Sequence, residues 1–430
     1  MQHQWNSALL NGKFRGFARI GLFMLFLLLV SVVVVPIAAQ DTTPLVPPQV
    51  GLRPDAPTYA LHGPYWVGVR DYSIAEGENH FWVTVWYPAL NPDGAAEGIT
   101  YFTSAEWNVS VGFPADFEGP ITGHALANAV PDTRNRPYPL VINSPGLLGY
   151  RQQSSYLMEH LASHGFVVMA MEHNGETIDV DGVWNGWGGA YSRPTETQLT
   201  IQYADQLTAA GGELEGLIDV DTLAVMGVSS GGWTALVGGG AQMNLSGCPT
   251  FLSQADGAAW VYDCTEFAPH QDEIAALYGL DAAPEGAWPQ SYDARVDAVI
   301  ALDADGDIWG SDYSGITSVT VPTMVFGSTG DTSNVPEHSS IPIYAHLGST
   351  VKTHVVFENA EHGVIINSCT VVPWLGDIYY YDCADPVWDG IAPMISWSLH
   401  HSIPARHPEG RRGRSCRAGA GGGELPRYHL

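Results

Sequence analysis

The stretch TLAVMGVSSGGWTALV, residues 222–237, constrains the fold of this 430-residue chain more than any other. An apolar, β-forming run ends in Gly227-Val228-Ser229-Ser230-Gly231, and a second apolar run of helical character follows. Glycine two places before and two after a serine permits a strained strand-to-helix turn where a Cβ on either side would meet backbone. Only Ser229 has glycine at both places. For Ser230 the residue two before is Val228, whose branched side chain does not suit that crowded position. The spacing therefore makes Ser229 the candidate nucleophile and Ser230 a donor of backbone N–H beside it. A strand feeding such a turn needs a helix packed back across a parallel sheet, which limits the rest of the chain to strand–helix alternation.

The flanking sequence supplies that alternation. YWVGVRDYSI and HFWVTVWYPA predict an opening hairpin, followed by a long irregular stretch to about residue 137. YPLVINS predicts a strand, QSSYLMEHLASHG a helix closed by Gly165, and FVVMAME a strand. TETQLTIQYADQLTAA predicts a helix and GWTALVGGGAQM the helix after the serine turn, while VDAVIALD, VPTMVFGS and THVVFE are the remaining strands. No internal repeat is visible, which excludes solenoids and propellers. The expected class is α/β: a mainly parallel central sheet with helices on both faces, and an insertion at about 245–290 after the nucleophile helix.

A serine hydroxyl is a weak nucleophile at neutral pH and needs a histidine base oriented by a carboxylate. With the nucleophile at a strand-to-helix elbow, acid and histidine follow it in the chain, in that order. His362, in FENAEHGV just past the last strand, is placed to reach over the sheet edge. His354 falls within that strand, and His338 and His346 in an expected helix, positions that suit structural or solvated roles. Two acids compete for the third place. Asp303 ends VDAVIALD and Asp331 follows VPTMVFGSTG, both at C-terminal strand edges where open α/β sheets gather their sites. Either could equally be a loop residue satisfied by nearby N–H groups. The oxyanion donors expected are the N–H of Ser230 and that of Leu147, in the glycine-containing loop NSPGLLGY. The run DADGD at 303–307 fails as an EF-hand, since Ile308 stands where glycine and Ser314 where glutamate would be required. No metal site is expected.

Charge and cysteine usage bear on compartment and partners. With 45 acidic against 17 basic residues, the formal net charge of −28 repels phosphate backbones and excludes nucleic acid as a partner. Lys13, Arg15 and Arg19 precede the apolar run IGLFMLFLLLVSVVVVPIAA, which reads as an export signal within residues 1–40. Its length approaches the roughly 20 residues that span a bilayer, so cleavage near Ala39 and retention as an anchor both stay open. A proline-rich leader at 41–60 then leads into a catalytic domain at 61–403, and the basic, glycine-rich tail 404–430, with Cys416, reads as disordered. In an oxidising compartment Cys248 with Cys264, and Cys369 with Cys383, are the simplest disulfides, the first tying the insertion. Other connectivities stay possible, and a zinc site is disfavoured by the absence of short C-x-x-C spacing. Within the insertion, Trp260 and Tyr262 either line an acyl pocket or form the insertion's own small core.

Taken together, VGVRDYSI, VTVWYPA, the phrase from Tyr138 to Thr177, LAVMGVSSGG and VDAVIALD resemble the platelet-activating factor acetylhydrolase-like and predicted dienelactone hydrolase-like branch of the α/β-hydrolases. Polyester-degrading, cutinase-like esterases are neighbours of that branch. The resemblance implies an exported serine esterase acting on small-molecule ester, lipid or polyester substrates with short or truncated acyl chains, without a cofactor. Amide or peptide cleavage by the same triad, and a non-catalytic binding module, are the alternatives. By position it implies Ser229 as nucleophile, His362 as base, and Leu147 and Ser230 as oxyanion donors. For the acid, acetylhydrolases match Asp303 and cutinase-like relatives Asp331. Two departures bear on the pocket wall. The family's usual S-H-G is here Ser144-Pro145-Gly146, and the histidine common before the nucleophile is Val228.

Overall fold

A computed structural model describes residues 61–367, apart from positions 78, 111, 174–176, 179–183 and 256, together with Pro47. The export segment, the leader, the tail, Cys416 and the Cys369/Cys383 pair lie outside the described residues.

Among the described residues nine strands form one sheet. In chain order they are β1 (Trp66–Glu76), β2 (Asn79–Ala89), β3 (Leu126–Ala127), β4 (Tyr138–Ser144), β5 (Val167–Met171), β6 (Ile218–Val228), β7 (Val296–Leu302), β8 (Thr323–Ser328) and β9 (Lys352–Phe357). Their spatial order is β9-β8-β7-β6-β4-β5-β2-β1-β3. The pairs β1–β2 and β2–β5 are antiparallel and the others parallel. Among the described residues the α-helices are α1 (Ala105–Ser110), α2 (Ser155–Ser163), α3 (Gly189–Thr208), α4 (Ser230–Gly238), α5 (Cys248–Ala255), α6 (Tyr262–Phe267), α7 (Gln271–Leu277) and α8 (Ser340–His346).

The central strands are mainly apolar where both faces are covered, as in Leu223–Val228 of β6. Along β6, Leu223 and Val225 enter one core cluster with Ile201, Ala204 and Trp233 of α3 and α4. Ala224, Met226 and Val228 enter the other, with Leu157, Met158 and Leu161 of α2. This two-faced burial, on a mostly parallel sheet whose second strand is antiparallel to both neighbours and whose β6 turns at Ser229 into α4, is that of the α/β-hydrolase fold.

Three elements depart from the sequence reading. The stretch before residue 137 is less irregular than expected: α1 and a small antiparallel ribbon, Ile99–Tyr101 against Ile121–Gly123, lie within it. Helix α3 starts at Gly189, ahead of Pro194, although proline normally marks a helix boundary. Proline leaves the carbonyl four residues earlier without its helical donor, and here the Tyr278 hydroxyl donates to that Ala190 carbonyl at 2.9 Å. His338 lies in the turn before α8 instead of in the helix, stacked on Trp260 with ring centroids 3.8 Å apart. The insertion carries α5, α6 and α7, with the Cys248–Cys264 disulfide joining α5 to α6. Phe267 packs edge-on against Trp233 of α4, and Trp260 against Phe251, so the insertion extends the core.

Candidate active site

The C-terminal ends of β4, β6, β7, β8 and β9 deliver the site. Gly227 is opposite Ser144 on β4, and Val228 opposite Leu302 on β7, so the next residue of each strand emerges at the same edge. Ser229 is that residue on β6. Its backbone is left-handed, with φ 56° and ψ −123°, and its N–H donates to the Leu302 carbonyl at 2.8 Å. A non-glycine residue in that conformation is strained and persists only where the surroundings fix it. The surroundings do so through close approach: an added Cβ at Gly227 or Gly231 would drive into backbone, Gly231 and Ser144 in the first case and Ser144 in the second. Helix α4 begins immediately after Ser229, so its positive end faces charge that develops there.

His362 opens a short 3-10 turn after β9. Its Nδ1 is 2.6 Å from Oδ2 of Asp331, and the other oxygen of Asp331 accepts from the N–H groups of Ser333 at 2.8 Å and Asn334 at 2.7 Å. Both carboxylate oxygens are thus occupied, one by the imidazole and one by the turn after β8. An ionised Asp331 accepts at Nδ1–H, which leaves Nε2 as the proton acceptor. Burial pulls the imidazole down, but the Asp331 charge and hydrogen bond, aided by Asp303 and Asp305, outweigh it and raise His362 to about 9.

Asp303 follows β7 in a left-handed conformation, φ 43°, and is fully buried. Its Oδ2 accepts from the Ser328 hydroxyl at 2.9 Å rather than from His362. Burial, helped by the charge of Asp331, pushes it up to about 7. Asn334 joins the two acids by donating its side-chain N–H to the Asp303 carbonyl at 2.6 Å. The structure therefore brings His362 against Asp331 and leaves Asp303 beside them, bonded to Ser328 and with its carboxyl raised by burial.

The loop after β4 abuts Ser229: a side chain at Gly146 would come within 3.4 Å of the Ser229 Cβ. The Gly146 N–H is already donated to Gln153 Oε1 at 2.9 Å, whereas no acceptor among the described residues binds the Leu147 N–H. Beneath the loop lies a set of side chains that sequence reasoning missed. The Ser144 hydroxyl is 2.8 Å from His173 Nε2, and His173 Nδ1 is 2.6 Å from Glu196. Burial, reinforced by the Arg193 charge, holds His173 well below its ordinary range. This Ser–His–Glu series has the order of a catalytic relay, but Ser144 is fully buried and no substrate carbonyl can reach it. Arg193 donates to the carbonyls of Pro145 and Gly146, each at 2.9 Å. Only the scarcity of basic residues around SRPTE could have drawn attention to that arginine.

Among the described residues no group of three or more His, Cys, Asp or Glu is arranged to hold a metal ion. The aspartates of DADGD diverge instead: Asp303 meets Ser328, and Asp307 accepts from the Cys264 N–H at 2.8 Å. Nor is any described helix long and apolar enough to cross a membrane.

Comparison with known proteins adds an independent line. Residues 51–180 match the family model of platelet-activating factor acetylhydrolase, isoform II. Two curated relatives from Thermobifida alba, cutinase est1 and cutinase est2, are each 36% identical over 98 residues, covering 23% of this chain and 29% of theirs. The chain thus matches less than a third of the length of those relatives. Among solved structures, a ferulic acid esterase from Streptomyces cinnamoneus aligns at 18% identity over 80% of this chain and 89% of its own, with a TM-score of 0.45. The matched family segment carries β1, β2, β4, the loop after β4, and β5, and there the chain resembles the acetylhydrolase-like α/β-hydrolases near the cutinase-like esterases.

Proposed function

We propose that this acetylhydrolase-like chain is an exported carboxylic-ester hydrolase working through an acyl-enzyme on Ser229. The observation that carries the reading is the 2.6 Å contact of His362 with Asp331 at the sheet edge where Ser229 stands in its strained turn. In the proposed cycle His362 Nε2 takes the Ser229 proton as Oγ attacks the ester carbonyl. Asp331 keeps the imidazole in the accepting tautomer and stabilises the imidazolium that forms. The N–H groups of Ser230 and Leu147 receive the oxyanion, and α4 adds its positive end. His362 then protonates the leaving alcohol, and a water activated by the same base releases the acid.

Short or truncated acyl chains, on a small ester, a lipid or a polyester, are the substrate class we propose from the family resemblance. Export is supported by the positively flanked apolar run at the N-terminus and by the Cys248–Cys264 disulfide, which belongs to an oxidising compartment. The catalytic domain we assign to 61–403, preceded by the leader and followed by the tail.

The test is a chain-length series of chromogenic esters and their matched amides, run on wild type and Ser229→Ala. The reading expects ester turnover that falls with acyl length, is lost in Ser229→Ala, and exceeds amide turnover. Turnover that survives Ser229→Ala, or none on any ester, would overturn it.

A further inference from the structure

We propose that Arg193 is the positioning residue of the oxyanion hole, fixing the Gly146–Leu147 peptide so that the Leu147 N–H points at the ester carbonyl. The inference rests on the ester-hydrolase reading above and deepens it. A trans peptide points its C=O and N–H in opposite directions, so whatever grips the carbonyl aims the N–H. Arg193 grips two consecutive carbonyls, Pro145 through Nη1 and Gly146 through Nη2, each at 2.9 Å. The planar guanidinium presents its donors in a fixed fork, which sets the relative tilt of both peptides as a flexible ammonium could not.

The rest of the loop is held around that grip. The Gly146 N–H is donated to Gln153 Oε1, and the Gln153 carbonyl accepts from Asn367 N–H at 2.8 Å. The strand residue before the loop, Ser144, bonds His173, which bonds Glu196, three positions after Arg193 on the same helix. Helix α3 therefore holds both the strand end and the loop. Its first turn is anchored in turn by Tyr278, which follows α7 of the disulfide-tied insertion and donates to the Ala190 carbonyl. Of the N–H groups of residues 146 and 147, that of Leu147 alone has no acceptor among the described residues.

A second effect goes with the geometry. A buried positive charge on a peptide oxygen draws electron density from that peptide and strengthens its N–H as a donor, and Arg193 is fully buried, so water does not screen it. The donor is thus both aimed and strengthened by a side chain that touches no substrate.

Losing one oxyanion donor lowers kcat by about 10² to 10³. Arg193→Lys keeps a charge but not the fork, and the expected result is a kcat loss in that range with KM within about threefold, since the hole acts on the transition state. The acyl-enzyme carbonyl stretch should move to higher frequency, as it does when a carbonyl loses a hydrogen bond. Arg193→Ala, prepared and assayed with ethylguanidinium, should recover at least about tenfold in kcat by returning the fork. Each variant is checked by near-UV circular dichroism, and ethylguanidinium provides a folded sample should the free cavity prevent folding. Wild-type kcat and carbonyl frequency in folded Arg193→Lys would overturn the proposal, as would a loss confined to KM or restored folding without restored kcat. Wild-type protein without ester turnover would remove the hydrolase reading and the Arg193 proposal together, whereas intact turnover in wild type and variants alike removes only the role of Arg193.

Discussion

Exchanging each acid for its amide separates two residues that look alike in the sequence. In Asp331→Asn the side-chain oxygen can still accept from the N–H groups of Ser333 and Asn334, so the turn after β8 keeps its bonds. The amide nitrogen then faces His362 Nδ1 across the 2.6 Å contact, and two donors cannot share it. The imidazole must present Nδ1 as acceptor and carry its proton on Nε2, which turns the base toward Ser229 in the wrong tautomer. That error costs about 10⁴ in kcat in a serine protease triad, or about 5 kcal/mol of barrier, and the same order is expected here. Asp303→Asn differs. Asp303 accepts from Ser328, makes no hydrogen bond to His362, and is raised to about 7, so the amide resembles a form already well populated at neutral pH. Its loss should stay within about tenfold. Steady-state kinetics on one chromogenic ester, with thermal melts to confirm folding, decide the matter. Comparable losses in both variants, or a larger loss in Asp303→Asn, would refute the reasoning.

Four further outcomes follow from the same geometry. Since the base must be neutral to accept a proton and His362 is raised from 6.5 to about 9, the rising limb of kcat/KM against pH should lie above 6.5, and Asp303→Asn should move it down. The linkage has a stability counterpart: a raised imidazole stabilises the fold fully below its unfolded value and loses that contribution as pH rises through about 9, which denaturant melts across that window should show. Gly231→Ala should cost about 1–3 kcal/mol in chemical denaturation and lower kcat as well, because its Cβ would push on the Ser144 carbonyl beside the oxyanion loop. Replacing Cys248 and Cys264 by serine frees a 16-residue separation and should cost about 3 kcal/mol on the chain-entropy model, with kcat also falling because Tyr278 anchors α3 from the same insertion.

What the sequence makes legible here is local chemistry, and what it hides is long-range. The glycines around Ser229 are readable because a turn that excludes Cβ atoms leaves its mark within five residues. The apolar runs of β4 to β8 are readable because strands covered on both faces have no polar side to confuse the period. Asp303 and Asp331 are indistinguishable by pattern, since each follows an apolar strand. Their different neighbours arise from the turn after β8, which aims one carboxylate at a histidine 31 residues later. The sequence pattern starts helix α3 at Thr195, whereas the helix begins at Gly189, because it runs through Pro194 and Tyr278, remote in sequence, supplies the missing donor. Arg193 has no local signature at all, its partners being carbonyls 47 and 48 residues earlier, and a carbonyl carries no sequence identity.

The central claim, covalent catalysis at Ser229, is tested most directly by rapid-quench kinetics with a chromogenic short-chain ester, followed by peptide mapping of the acid-quenched protein. We expect a burst of alcohol approaching one equivalent per enzyme wherever deacylation is slower than acylation, and an acyl mass increment on the peptide containing Ser229, absent in Ser229→Ala. An increment on another residue, or hydrolysis without any increment on Ser229 under conditions that trap an acyl-enzyme, would contradict the account.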